Sequence, residues 1–329
     1  MAVSTNYNLG YQCYFGIEKT KSYEKAAKYF QIAAEEEEDV ISCYILASMI
    51  SEEFGLPYSP QKSYSWYQKF LSKVEQSSKV LEKLKEMGSK GDLLALIILG
   101  HIYQEGITVK ESIEKAIEYY TEAAKKGFST AQCLLAHSFI ISASLLEEGK
   151  DELAEQLYKQ ASFWVDKAVE ADDRNAFEIK GRMYEGGFGV EQSYEKAIYW
   201  YTRAAEKGLI ETQTWLAGLL SEEEAGAEQS YEKSIYWYTK AAERGHYLAQ
   251  HNLGMIFFCG IDGVEQSYEK ALYWFMRVVE GDALERDKAD TYYVLSKIYE
   301  NGEGIEKSLP KAKEFYDKAV ELGAWETHY

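Results

Sequence analysis

The chain is poor in proline, with three in 329 residues, where an average protein has about 5%. That scarcity leaves few helix breakers and favours long helices joined by short turns. Cysteine is scarce as well. Cys13, Cys43, Cys133 and Cys259 stand far apart with no paired spacing, which excludes a disulfide framework and predicts free thiols. No long hydrophobic run exists. The longest, Leu93 to Leu99, is far too short to span a bilayer, and residues 1–8 have neither the basic nor the apolar region of a secretion signal. Basic residues are outnumbered, 36 against 54 acidic ones, for a net charge of −18. A uniformly acidic surface repels phosphate backbones and anionic lipid, so neither nucleic-acid binding nor membrane insertion is expected. Together these absences predict a cytoplasmic protein, although an effector exported without a cleaved signal has the same composition.

Catalytic signatures are missing too. The sequence has no His-Glu-x-x-His, no CxxC pair, no P-loop and no Gly-x-Ser-x-Gly element. No cofactor is expected. The glycines at Gly186–Gly189 recur as the turn between the two helices of a copy and lack the lysine of a P-loop. The carboxylate runs Glu35–Glu38 and Glu222–Glu224 read as solvated helix ends.

What is present is repetition. Hydrophobic residues make up 46% and aromatics 15%, enough for a folded core. Residues 191–208, EQSYEKAIYWYTRAAEKG, and 228–245, EQSYEKSIYWYTKAAERG, match at fifteen of eighteen positions with an offset of 37, and 265–280 repeats the pattern. Looser matching gives eight copies. Each has a small residue opening the motif (Ala26, Ser63, Ala116, Ala161, Ala197, Ser234, Ala271, Ala312). Each has a second one before it (Gly10, Ala47, Gly100, Ala136, Gly181, Ala217, Gly254, Ser296).

Each copy reads as two helices. In the second, Ala197, Trp200, Tyr201, Ala204 and Ala205 share one apolar face, with Ser193 as N-cap, Glu195 in the first turn and Gly208 beyond the end. In the first, Ala249, Leu253 and Phe257 line up with Gly254, whose recurrence as Gly, Ala or Ser predicts a close crossing. The triplets 199–201, 236–238 and 273–275 read as core. The copies cover roughly 3–36, 40–72, 92–127, 128–172, 174–208, 210–245, 247–281 and 288–323, and 1–329 is expected to form one array. The insertion at 73–90 holds five lysines and three glutamates and reads as an amphipathic surface helix. Residues 324–329 lie where a ninth first helix would begin, so either they or a partner cover that end.

Motifs such as Leu253-Gly254, Phe257, Gly263-Val264, Tyr268-Glu269-Lys270-Ala271 and Tyr273-Trp274 resemble the Sel-one-like repeat, a relative of the tetratricopeptide repeat. The resemblance covers nearly the whole chain and is strongest in copies five to seven. It implies an all-α, right-handed superhelical solenoid of about eight hairpins. It also implies a non-catalytic scaffold or adaptor for a partner protein or peptide, in signalling, protein quality control or bacterial contact with a host. One branch of the family, rich in paired cysteines, is associated with β-lactams; its cysteine pairs are absent here, and a hydrolase of the β-lactam or cell-wall class stands as the alternative. A zinc module built on His101, Cys133 and His137 is a third reading.

In the register the resemblance implies, the concave face presents Tyr7, Tyr11 and Tyr14 from copy one and Tyr44 from copy two. His101, Gln104 and His137 follow from copies three and four, then Glu178, Arg182 and Glu185 from copy five. Copy seven adds His251, Met255 and Phe258, and copy eight Tyr293, Lys297 and Glu300. A peptide across Tyr7, Tyr11, Tyr44, His101, His137 and Arg182 is the expected mode of binding. The oligomeric state is left open.

Overall fold

Ser193 caps its helix as the motif requires. The Lys196 backbone N–H donates to the Ser193 hydroxyl at 3.3 Å, and Glu195 lies in the first turn. The same serine cap recurs at Ser22, Ser112, Ser230 and Ser267, satisfying amide groups that a helix start leaves open. Gly208 follows the helix at φ 86°, a backbone conformation that a residue with a side chain rarely adopts.

The computed structural model describes residues 4–18, 20–146, 151–221, 230–261 and 263–323. Over these the chain is helical, with no strand among the described residues. The hairpins are α1 (Thr5–Phe15) with α2 (Tyr23–Glu35), and α3 (Val40–Ser51) with α4 (Pro60–Gln76). After the inserted α5 (Ser78–Ser89) come α6 (Leu93–Gln104) with α7 (Ile113–Lys125), and α8 (Ser129–Ser144) with α9 (Asp151–Glu170). Then follow α10 (Arg174–Gly186) with α11 (Tyr194–Glu206), α12 (Ile210–Ser221) with α13 (Tyr231–Glu243), α14 (Tyr247–Cys259) with α15 (Tyr268–Glu280), and α16 (Ala289–Asn301) with α17 (Leu309–Glu321). The eight expected hairpins are all present. The carboxylates Glu222–Glu224 and the segment 324–329 lie outside the described residues.

The chain forms two compact units, Met1–Pro57 with Lys62–Lys207, and Tyr58–Gln61 with Gly208–Tyr329. In both, the small residues of the repeat are where the two helices of a hairpin touch. A Cβ on Gly100 would stand 2.2 Å from the Tyr120 ring, one on Gly181 2.6 Å from Tyr201, and one on Gly254 2.4 Å from Phe275. Each glycine is thus a notch for the aromatic ring of its own hairpin. Where the opening residue is serine, its hydroxyl donates to the carbonyl of the facing small residue, Ser63 to Ala47 at 2.9 Å and Ser234 to Ala217 at 2.7 Å. Ala197, Tyr201, Ala204 and Ala205 are buried as the face pattern predicts.

The triplets divide rather than being core throughout. Tyr201, Tyr238, Trp274 and Phe275 are buried, but Tyr199, Tyr236 and Tyr273 are exposed. The reason is helical phase: two residues along a helix is about 200° of rotation, so the first and last of three neighbours cannot share a face. The insertion behaves as an amphipathic helix. Leu84 and Met87 of α5 join the core of the first unit while its lysines are exposed, apart from the half-buried Lys83, which pairs with buried Asp39 at 2.8 Å. Cys13, Cys43 and Cys133 are buried free thiols and Cys259 is exposed. No helix among the described residues is long and apolar enough to cross a membrane.

Candidate partner-binding surface

The first-helix residues of the first unit are largely used by the unit itself. Tyr7 is 1% exposed, and its hydroxyl donates to both Asp92 carboxylate oxygens at 3.0 Å. Asp92 is the N-cap of α6, so an α1 side chain reinforces a helix start in the third hairpin. The Tyr11 hydroxyl accepts the Leu93 N–H at 3.2 Å. Tyr14 is 8% exposed, and its neighbour Phe15 packs edge-on to Phe128, 5.0 Å between centroids. Burial pushes the Tyr7 and Tyr14 phenols well above their ordinary range. Tyr7 and Tyr14 are therefore core residues, not groove lining. The expected path across Tyr7 and Tyr11 is filled by the chain's own α6 and α8 starts.

Farther along the first unit the surface is polar. Half-buried Tyr44 lies 5.5 Å from the His101 ring, and His101 Nε2 meets the Tyr67 hydroxyl at 3.1 Å. His101 thus bridges to α4. Gln104 carries its side-chain oxygen 3.4 Å from the Ser138 hydroxyl. Arg182 is exposed and pairs with Glu178 at 3.0 Å, while Glu185 accepts the Tyr201 hydroxyl. Burial, and after it the Arg182 charge, hold His137 below the usual histidine value; burial does the same to His101.

The second unit leaves more open. On α14, Met255 and Phe258 are half-buried against the core of Phe275 and Leu295, and Tyr293 of α16 joins them. His251 Nδ1 lies 2.8 Å from the Thr291 hydroxyl, which ties α14 to α16. Lys297 is exposed, with its ammonium 5.7 Å from the Tyr293 ring centre and 2.9 Å from Glu300. An apolar floor with one charged edge results.

Trp215 was missed by the register argument. It is exposed on α12, at the place where other first helices bury Ile45, Ile98 and Ile179. An aromatic at this position, which is aliphatic in most copies, was the available signal.

No three His, Cys, Asp or Glu side chains among the described residues come together as metal ligands, so His101, Cys133 and His137 do not form the zinc set considered above. A hydroxyl–imidazole–carboxylate chain does occur. Thr214 Oγ1 lies 2.9 Å from His246 Nδ1, and His246 Nε2 lies 2.8 Å from Glu211. Both Thr214 and His246 are buried, and the imidazole accepts the Ala249 N–H as the N-cap of α14. This is a tie between α12 and α14.

The fold agrees with what the chain is similar to. The Sel1 repeat family matches at 3–37, 40–73, 93–128, 181–209, 210–246, 248–276 and 289–323. The hairpin of α8 and α9 lies almost wholly outside these segments. A crystal structure of a Sel1 repeat protein from Oxalobacter formigenes superposes with a TM-score of 0.55 at 22% identity, covering 97% of this chain and 83% of that one. The chitin synthase regulator SKT5 of Saccharomyces cerevisiae is 32% identical over 151 residues, 45% of this chain but 20% of that protein's length. This all-α protein belongs to the Sel1 repeat family, a repeat-solenoid fold.

Proposed function

We propose that the protein is a non-catalytic scaffold that binds a partner protein or peptide segment on first-helix side chains, and that the hairpins of both units are copies within one array. The observation that carries this reading is a contrast between positions. The packing residues recur, a glycine against a ring at Gly10, Gly100, Gly181 and Gly254, whereas the outward first-helix residues differ from copy to copy. Packing restricts the former; a ligand would select the latter. In the second unit these residues are Met255, Phe258 and Tyr293, large side chains of the kind that dominate binding energy. In the first unit His137, Glu178 and Arg182 supply the polar counterpart. An adaptor role follows from this reading.

Affinity purification with mass spectrometry identifies the partner, and titration with the purified partner tests the surface. Tyr293→Ala and Met255→Ala should each weaken binding by about 1–3 kcal/mol with the melting temperature nearly unchanged. If both leave affinity intact while substitutions at Lys196 or Lys233 abolish it, the partner uses the second helices and the assignment is wrong.

A further inference from the structure

Two residues after the opening small residue, four successive hairpins carry an exposed aromatic. Phe163 is 54% exposed, Tyr199 57%, Tyr236 53% and Tyr273 54%. The other hairpins place Lys28, Ser65, Glu118 and Glu314 there. In the three triplets the exposed ring is not the packing ring, since the last member, Tyr201, Tyr238 or Phe275, is the buried one. Four residues further along, each helix carries a cation. In the first unit those cations are neutralised, Lys167 by Glu170 at 3.1 Å and Arg203 by Asp172 at 4.0 Å. In the second unit Lys240 lies 5.5 Å from the Tyr236 ring centre. Arg277 lies 5.9 Å from that of Tyr273 and donates to its hydroxyl at 3.1 Å. Neither has a carboxylate partner among the described residues.

The charges around the two tyrosines are arranged by side. At about 100° per residue, Lys233 and Lys240 fall on one flank of Tyr236, and Glu232 and Glu243 on the other. On α15, Lys270 and Arg277 take the first flank of Tyr273, and Glu269 and Glu280 the second. A face with an aromatic ridge, a basic flank and an acidic flank is complementary to itself. Rotating a second copy by 180° about an axis parallel to these helices lays ridge on ridge and sets each basic flank against an acidic one. That rotation preserves height along the helix. With the axis midway between the two helices, α13 lies on α15 of the other copy, and equivalent positions are 37 residues apart. Lys233 then meets Glu269 of the other copy within about 1.5 Å of rise, and Lys240 meets Glu280 within about 4.5 Å.

We propose that the outer face of α13 and α15 is a self-association surface whose occupant is a second copy of this chain, in an isologous two-fold pair. A uniformly charged partner fits less well, because either flank would repel it. Two 13-residue helices that share one core cluster, Tyr238 and Ala241 with Trp274, offer a footprint of about 20 Å by 20 Å. That is under the ~800 Å² per partner of a stable interface, so the dimer is weak and dependent on concentration.

Sedimentation equilibrium of the full chain tests this. Dimer should accumulate between about 10 and 200 μM, the weak range for so small an interface. Tyr236→Ser with Tyr273→Ser should weaken it at least tenfold at an unchanged melting temperature. Lys233→Glu with Lys270→Glu should be monomeric, and so should Glu232→Lys with Glu269→Lys, yet an equimolar mixture of the two should associate. A chain that stays monomeric at 200 μM, a dimer untouched by the tyrosine changes, or a mixture that fails to associate overturns the proposal. None of these readouts involves the first-helix surface, so they stand or fall apart from the scaffold reading.

Discussion

The two units use one repeat for different ends. In the first, side chains of α1 and α10 reach past the neighbouring hairpin. Tyr7 and Tyr11 meet the start of α6. The Arg174 guanidinium at the start of α10 lies over Phe54 at 4.5 Å and bonds the Glu52 carbonyl. In the second, the equivalent residues reach only the next hairpin, as His251 does with Thr291, and Met255, Phe258 and Tyr293 remain half open. The same position in the repeat is therefore buried against a distant hairpin in one unit and half exposed in the other.

The largest effect should come from the feature the units share. Gly100→Leu and Gly254→Leu each drive a side chain into a fully buried ring, Tyr120 or Phe275, and should each destabilise by about 3 kcal/mol, near the top of the overpacking range. Urea denaturation checks this, and an unchanged midpoint for either would remove the notch from the account.

The next test separates the units. Tyr7→Phe deletes the hydroxyl that holds Asp92 and should cost about 1.5 kcal/mol, as expected for a hydrogen bond to a carboxylate. Tyr293→Ala, on a half-open side chain, should cost less than Tyr7→Phe in the same assay. Equal losses would break the comparison.

A smaller effect is pH dependence. Burial holds His101 and His251 below the usual histidine value, so the unfolded chain takes up protons first. Their contribution is present above about pH 6.5 and is lost as pH falls through the folded-state value. Melting temperatures from pH 8 to 5 should show a shallower acid decline for His101→Gln than for the parent chain; a steeper decline would reverse the assignment.

The hairpins were legible in the sequence because their determinants are local: the 37-residue offset, the serine caps and the paired small residues all lie within one copy. The fate of Tyr7 and Tyr14 was not. Their partners at Asp92 and Phe128 belong to other hairpins, and periodicity carries no information about contacts between copies. Tyr199, Tyr236 and Tyr273 misled for the opposite reason. Near-identity between copies looks like a packing constraint, whereas these side chains are identical and exposed. Trp215 escaped because the borrowed register did not include its position.

The glycine notch also bears on how such a chain grows. Lock and key, Gly181 with Tyr201 or Gly254 with Phe275, belong to one continuous stretch of chain, so a duplicated stretch of gene brings both halves with it. A new hairpin needs no matching change elsewhere to close. The near-verbatim copies at 191–208 and 228–245 are what such self-sufficiency permits: length added by copying, with the outward first-helix residues left to diverge.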